Sequence, residues 1–552
     1  MSNDPLETCV ISRLVEAQAA RHPDRLAFRV DHDGLPAEDV RFGDLAARAN
    51  RLAHELRRAG LGAGDRVAVM LRNGPEFVYA YAAHSQLGIE TVPIDPRSRG
   101  EKLRYFLDFA ECKALITGDE VVADQAVAAD IASTGLAVWV VSTPEGRARG
   151  LDPSAHWPVL NEILDGPERP HAGQHVDDLA RPWLLAYTSG TTGNPKAILF
   201  TYNRLLLYRR LPTFFGYRPD DVPYTGLSLT HGNAIIATLL PALWGVVDHS
   251  VFSPGFTKSR LWEVCARHGV TTWSNLGGIA TAVYSEPAAP HDRNHSVRLV
   301  VSAGMPAPLW EPFEARFGVR ILEWYGTMEG GFAYKPVGVG PVGSFGKPPP
   351  DLLEAEVVDE EDRPVAAGQP GELLLRPAGG TAVMEYYKNP EASTRKTRGG
   401  WLHTGDVVRR DEDGWLFFLH RKEEGGLRKL GEFISEGFIR RVIAEFPGVT
   451  DVHIYGIPSR AGAPGETDIV AAVVLTDPGD FSVEALIGHC RDRLERSHVP
   501  DLVQIVDALP KTASEKVQNR FLVEALTVPG AVVVEANRID LGGRRGMVSG
   551  HA

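Results

Sequence analysis

Residues 183–200 read Trp183-Leu184-Leu185-Ala186-Tyr187-Thr188-Ser189-Gly190-Thr191-Thr192-Gly193-Asn194-Pro195-Lys196-Ala197-Ile198-Leu199-Phe200. An apolar run of strand length, 183–187, passes directly into a polar loop, and apolar residues resume at 197–200. Gly190 and Gly193 let successive backbone N–H groups turn toward one point. The hydroxyls of Thr188, Ser189, Thr191 and Thr192 add donors and Lys196 adds a positive charge, a set suited to a polyphosphate. The spacing differs from the Gly-x-x-x-x-Gly-Lys-Ser/Thr phosphate loop. A plain Ser/Thr/Gly hairpin turn is the competing reading, and nine ordered residues weigh against it.

Outward from this loop the chain alternates helical and strand periods. Leu45, Ala49, Leu52 and Leu56 recur at helical spacing after Asp44, a candidate cap, and Gly60 follows the last turn. Residues 67–71 read as a buried strand, 77–87 as a helix and 91–94 as a strand, the pattern of a mainly parallel sheet covered by helices. The apolar run 234–247 contains Pro241 and is shorter than the ~20 residues a bilayer requires, so it reads as a buried helix and not as a membrane span. Residues 171–181 read as a surface connection. A hinge is expected at 421–426, between strand-like segments 415–419 and 433–434. Beyond it, strands at 452–457 and 468–475 and a helix at 482–494 make a small domain. The fold class is α/β: a large N-terminal domain of layered sheets covered by helices (residues 1–420), a small mobile α+β C-terminal domain (421–530), and a flexible tail (531–552).

The 552 residues, with 43% hydrophobic and 23% charged side chains, exclude a disordered, collagenous or coiled-coil chain. Lys+Arg 58 against Asp+Glu 71 leaves a net charge of -13, which argues against general affinity for nucleic acid or anionic membrane. Cys9, Cys112, Cys265 and Cys490 are far apart and match neither a zinc motif nor a disulfide framework. Charges scattered through residues 1–25 leave no apolar signal-peptide core. A cytoplasmic location is expected.

The loop resembles that of the adenylate-forming superfamily of acyl-CoA synthetases, peptide adenylation domains and luciferases, whose signature is Tyr-Thr-Ser-Gly-Thr-Thr-Gly-x-Pro-Lys-Gly. The match departs at Ala197. Further segments agree in order: Gly343-Ser344-Phe345-Gly346-Lys347-Pro348, Gly371-Glu372-Leu373, Tyr386-Tyr387-Lys388-Asn389-Pro390 and Trp401-Leu402-His403-Thr404-Gly405-Asp406. The resemblance spans about residues 10 to 525, and the N-terminal half and the segment around Trp401 look most like the crotonobetaine/carnitine-CoA ligase type.

The resemblance implies that a carboxylic acid is activated with ATP as an acyl-adenylate and passed to coenzyme A, with Mg²⁺ present. It implies a nucleotide site of Thr188, Ser189, Gly190, Thr191, Thr192, Gly193, Lys196, the loop Gly304-Met305-Pro306, Trp324, Tyr325, Gly326, Thr327, Met328, Asp406 and Arg421. Tyr325 would stack on adenine, Asp406 would bind the ribose, and Glu329 would hold the metal. Met328 stands where the family has a phosphate-binding threonine. Lys516 matches the catalytic lysine, with Glu515 in place of the usual glycine and able to pair with it. His231 would lie between acid pocket and thiol channel. Asn233, Trp273, Asn275, Gly277, Gly330, Gly331 and Phe332 would line the acid pocket, and Gly431 the coenzyme A tunnel. Tryptophan with asparagine points to a compact, partly polar acid. Two alternatives stay open: transfer to another acceptor, or activation of nitrite, in a biosynthetic pathway; and a non-catalytic nucleotide-binding homologue.

Overall fold

The computed structural model describes residues 4, 9–98, 100–153, 156–173, 176–187, 195–422, 427–429, 432–434, 436–458, 467–477, 481–494, 498–512, 515–526 and 532–535. Two helix-covered sheets form the body. One is eight-stranded, in the order Gly330–Lys335, Arg320–Thr327, Leu299–Ala303, Thr272–Leu276, Pro223–Thr225, Ser250–Phe252, Leu26–Val30 and Glu38–Arg41. Its inner strands are parallel and its two edge strands antiparallel. The other is six-stranded, in the order Ala137–Val141, Ala114–Gly118, Arg66–Met70, Glu90–Pro93, Pro182–Tyr187 and Ala197–Thr201. Parallel strands buried on both faces need near-continuous apolar runs, as in Arg66–Met70, where all but the first residue are buried.

An antiparallel sheet of Leu353–Val358, Pro370–Pro377, Leu402–Arg410 and Leu416–Arg421 follows. The C-terminal part pairs Val449–Pro458, Thr467–Leu475, Leu502–Ile505 and Val532–Glu535 under the helices Glu436–Ala444 and Val483–Arg493, whose apolar faces share its core. Ser482 caps the second helix by accepting from Ala485 N. These elements are the mixed α/β architecture expected of the chain.

Three expectations are corrected. Asp44 is not a cap: the helix runs Phe42–Arg58 behind Arg41, and Asp44 stands in its first turn, where a negative charge still favours the helix start. Residues 234–247 are not one regular helix. Pro241 has no N–H for the carbonyl of Ala237; the Tyr217 hydroxyl donates to it instead at 2.6 Å, and the backbone widens into a π-turn over Ile235–Leu239. The tail is not wholly unstructured, because Val532–Glu535 pairs antiparallel with Leu502–Ile505. The hinge residues 423–426 and the tail beyond 535 lie outside the described residues. All four cysteines are buried and unbridged. Among the described residues no helix is long and apolar enough to cross a membrane.

Candidate active site

The strands Pro182–Tyr187 and Ala197–Thr201 pair antiparallel, with Tyr187 opposite Ala197, so the sequence between them is a hairpin connection. Residues 188–194 of that loop lie outside the described residues. Both flanks are pinned from the helix Gly100–Phe109: the Tyr187 hydroxyl donates to Phe106 O at 2.6 Å and the Tyr105 hydroxyl to Pro195 O at 3.0 Å. Ala197, where the family has glycine, is fully buried in the apolar cluster of this sheet.

Directly after the loop, Lys196 Nζ lies 5.1 Å from the centre of the Tyr386 ring. The Tyr386 hydroxyl donates to Glu329 Oε1 at 2.7 Å. Lys196 and Glu329, 133 residues apart by their numbers, therefore meet through one tyrosine. Glu329 is held by the turn that joins Arg320–Thr327 to Gly330–Lys335. Thr327 Oγ1 accepts from Gly330 N at 3.2 Å and donates to Gly330 O. The Arg204 guanidinium donates to Met328 O at 2.5 Å while lying 4.2 Å over the Phe200 ring. Met328, the departure from the family pattern, packs its side chain on the apolar core.

The carboxyl ends of parallel strands are where ligands gather in such sheets. There the Tyr325 hydroxyl donates to Asp406 Oδ2 at 2.5 Å, and the Tyr325 ring lies 4.8 Å from that of Phe345. Asp406 stands opposite Arg421 in the strand pairing. Next to Asp406, Gly405 N donates to Glu372 Oε1 at 3.0 Å, and Lys422 Nζ lies 3.2 Å from Glu372 Oε2. Burial opposes the charge of Glu372, but His403 and Lys422 overcome it and hold this carboxyl down at about 2.

The loop Gly304-Met305-Pro306 is anchored by a residue that sequence reading missed. Glu323, buried in the neighbouring strand, accepts from Gly304 N and from Met305 N, the latter at 3.2 Å. Burial pushes its carboxyl up to about 8 against those backbone bonds. The available signal was an acid inside the apolar strand Arg-Ile-Leu-Glu-Trp-Tyr.

His231 caps the short helix Gly232–Ala234, its Nδ1 accepting from Asn233 N at 3.2 Å. Burial lowers its pKa to about 4, so the ring is neutral at pH 7. Asn233 Nδ2 reaches Asn275 O at 3.5 Å. Pocket residues Trp273 and Phe332, and the nucleotide residue Trp324, are placed differently from expectation. Trp273 is core, 5.7 Å from Trp262 and 6.3 Å from Phe313 by ring centres. Trp324 alternates with Tyr325 to the opposite face of its strand and packs on Phe215 and Phe332 at 5.5 and 6.2 Å. Phe332 itself stacks on Tyr334. A side chain at Gly331, whose φ is +89, would collide with Leu375. Gly330 shares the left-handed sign of φ, and Gly326 and Gly277 lie in the strand Arg320–Thr327 and at the start of the helix Gly277–Tyr284. Gly431 lies outside the described residues.

Lys516 is on a tight turn: Thr512 N donates to Lys516 O at 2.8 Å, and Lys516 N donates to Thr512 Oγ1 at 3.2 Å. Glu515 adopts φ +60, the conformation that suits the glycine it replaces. Its carboxylate lies 3.7 Å from Lys511 Nζ. Lys511 is thus an ion-pair partner of Glu515 in this turn.

A family model described as AMP-binding enzyme matches residues 15–388, and one described as AMP-binding enzyme C-terminal domain matches residues 440–516. A sulfoacetate–CoA ligase of Cupriavidus necator is 30% identical over 92% of this chain and 96% of its own length. Long-chain fatty acid transport protein 5 of Homo sapiens is 29% identical over 97% of this chain and 80% of its own. A crotonobetaine/carnitine–CoA ligase of Salmonella paratyphi B is 27% identical over 87% and 92%. A crystal structure of an anthranilate CoA ligase with anthranoyl-AMP matches with a TM-score of 0.78 over 95% of this chain and 99% of that one, at 23% identity, a likeness of fold.

Proposed function

The chain belongs to the AMP-binding enzyme family, and from that premise we propose that it joins a compact, partly polar carboxylic acid to coenzyme A by way of an acyl-adenylate made from ATP. The observation that carries this reading is the meeting of Lys196 and Glu329 at Tyr386, beside a loop whose composition suits a polyphosphate. The relatives named above support the ligase class, since two of them are CoA ligases, one for sulfoacetate and one for crotonobetaine/carnitine.

In the first half-reaction a carboxylate oxygen of the acid forms a bond to the α-phosphorus as the bond to pyrophosphate breaks. Negative charge accumulates on an anionic centre, so the residues must supply placed cations and donors rather than a strong base. Lys196 and the hydroxyls of 188–192 would bind the departing phosphates, and Lys516 would bridge acid and α-phosphate. Tyr325 would face adenine, with Asp406 and Arg421 at the ribose. Magnesium is held in such sites by one or two carboxylates together with substrate phosphates, and Glu329, linked to Lys196 through Tyr386, fits that need. Bound there it supplies positive charge against the phosphate oxygens. Neutral His231 would separate the acid from the incoming thiol, with Asn233 and Asn275 giving the pocket its polar character. Gly431 would flank the thiol path. In the second half-reaction the thiol displaces AMP after the C-terminal domain, residues 421–530 with the strand at 532–535, has turned about 421–424.

The test is pyrophosphate release with a panel of carboxylic acids, followed by mass detection of the thioester. Acid-dependent pyrophosphate and a coenzyme A thioester are expected. Pyrophosphate without thioester would reassign the acceptor.

A further inference from the structure

Resting on the adenylating reading above, we propose that Tyr386 is the positioning residue of the phosphate end of the site: its hydroxyl aims the Glu329 carboxylate at the divalent cation and its ring face seats Lys196. Tyr386 is 3% exposed, and its backbone is held from several sides. It forms an antiparallel bridge with Ile198, its N–H donates to Ser393 Oγ at 2.9 Å, and the following Tyr387 N donates to Ala197 O at 2.8 Å. The segment is thereby added to the free edge of the strand that begins just after Lys196. Asn389 then starts the helix Pro390–Lys396 by accepting from Ala392 N at 3.0 Å.

A phenol held this way has one orientation, and it presents two different faces to two opposite charges. The O–H reaches Glu329 Oε1 at 2.7 Å, a charge-assisted bond that fixes the orientation of the carboxylate. The ring face, with the ammonium of Lys196 at 5.1 Å, attracts the cation without taking a proton or forming a tight ion pair. The ring thus gives Lys196 a seat beside the loop expected to hold the phosphates. Tyr387 braces the arrangement from behind: Arg66 donates to its hydroxyl at 2.7 Å and lies 4.3 Å over its ring.

The two functions separate by mutation. Tyr386→Phe keeps the ring and removes the hydroxyl; Tyr386→Leu removes both. Manganese binding, read by the free-ion spin-resonance signal in the presence of a non-cleavable ATP analogue, should weaken about tenfold in Tyr386→Phe. Binding of the analogue in chelator should stay within about twofold of wild type. In Tyr386→Leu the metal-free analogue affinity should fall as well, by about threefold. In a Glu329→Gln background, Tyr386→Phe should have no further effect on manganese binding, a coupling that a general loss of packing does not produce. Unchanged manganese affinity in Tyr386→Phe, or an undiminished effect in the Glu329→Gln background, overturns the positioning role while leaving the adenylating reading intact. A wild-type protein that binds neither the analogue nor manganese with it overturns both.

Discussion

The Tyr325 hydroxyl donates to Asp406 Oδ2 at 2.5 Å, so the residue expected against adenine and the residue expected at the ribose are already joined across two strands of different sheets. This bond turns one carboxylate oxygen toward the tyrosine and orients the other. Tyr325→Phe retains the aromatic surface, including its 4.8 Å packing on Phe345. It should raise the KM for ATP about tenfold, equivalent to about 1.4 kcal/mol, with kcat changed by less than about threefold. Steady-state kinetics with saturating acid measure the split.

Glu323 predicts an alkaline slope of stability. Its carboxyl is raised from 4.5 to about 8 by burial, so folding takes up a proton. The stabilisation is complete below about pH 4.5 and is lost as pH rises through about 8. Glu323→Gln keeps an acceptor for Gly304 and Met305 without the ionisation, and urea unfolding from pH 5 to 9 should show a flatter decline. Glu323→Leu leaves both N–H groups unpaired at about 1–3 kcal/mol each and should unfold at distinctly lower urea.

Glu372 works in the opposite direction. His403 and Lys422 hold its carboxyl down at about 2, so its contribution is present above pH 4.5 and is lost as pH falls toward 2. Glu372→Gln should remove part of the acid-side loss in the same titration, and it should lower stability at pH 7.

Glu515 stands at φ +60, a conformation that costs an L-residue about 1–2 kcal/mol. Glu515→Gly should therefore stabilise the turn by about 1 kcal/mol. The loss of the partly exposed pair with Lys511 offsets this by less than about 0.5 kcal/mol. Thermal unfolding followed on the C-terminal transition measures it.

Much of this architecture was legible because burial imposes period. The strand 183–187, the strand read at 67–71 and found at Arg66–Met70, and the small C-terminal domain all follow from apolar runs and turn residues. What escaped was long-range. The Ala237 carbonyl, freed by Pro241, is filled by Tyr217 from 20 residues away, so local pattern could not foresee a π-turn. Trp324 and Tyr325 carry similar side chains, and only the alternation of one strand decides that the first is core and the second faces Asp406. Glu323 escaped because its partners are backbone groups of another loop. Within the candidate site, Lys196, Glu329, Tyr325 and Asp406 were named from motif alone. Tyr386, which links two of them, became visible only through its contacts.

The central claim is that Lys516 assists an acid-dependent displacement at the α-phosphorus of ATP. The direct measurement is exchange of labelled pyrophosphate into ATP across a panel of carboxylic acids, comparing wild type with Lys516→Ala alongside ATP binding. The account predicts acid-dependent exchange in wild type and a loss of at least about a hundredfold in the variant, with ATP affinity within about threefold. Exchange by Lys516→Ala at the wild-type rate, or none by wild type with any acid, would contradict it.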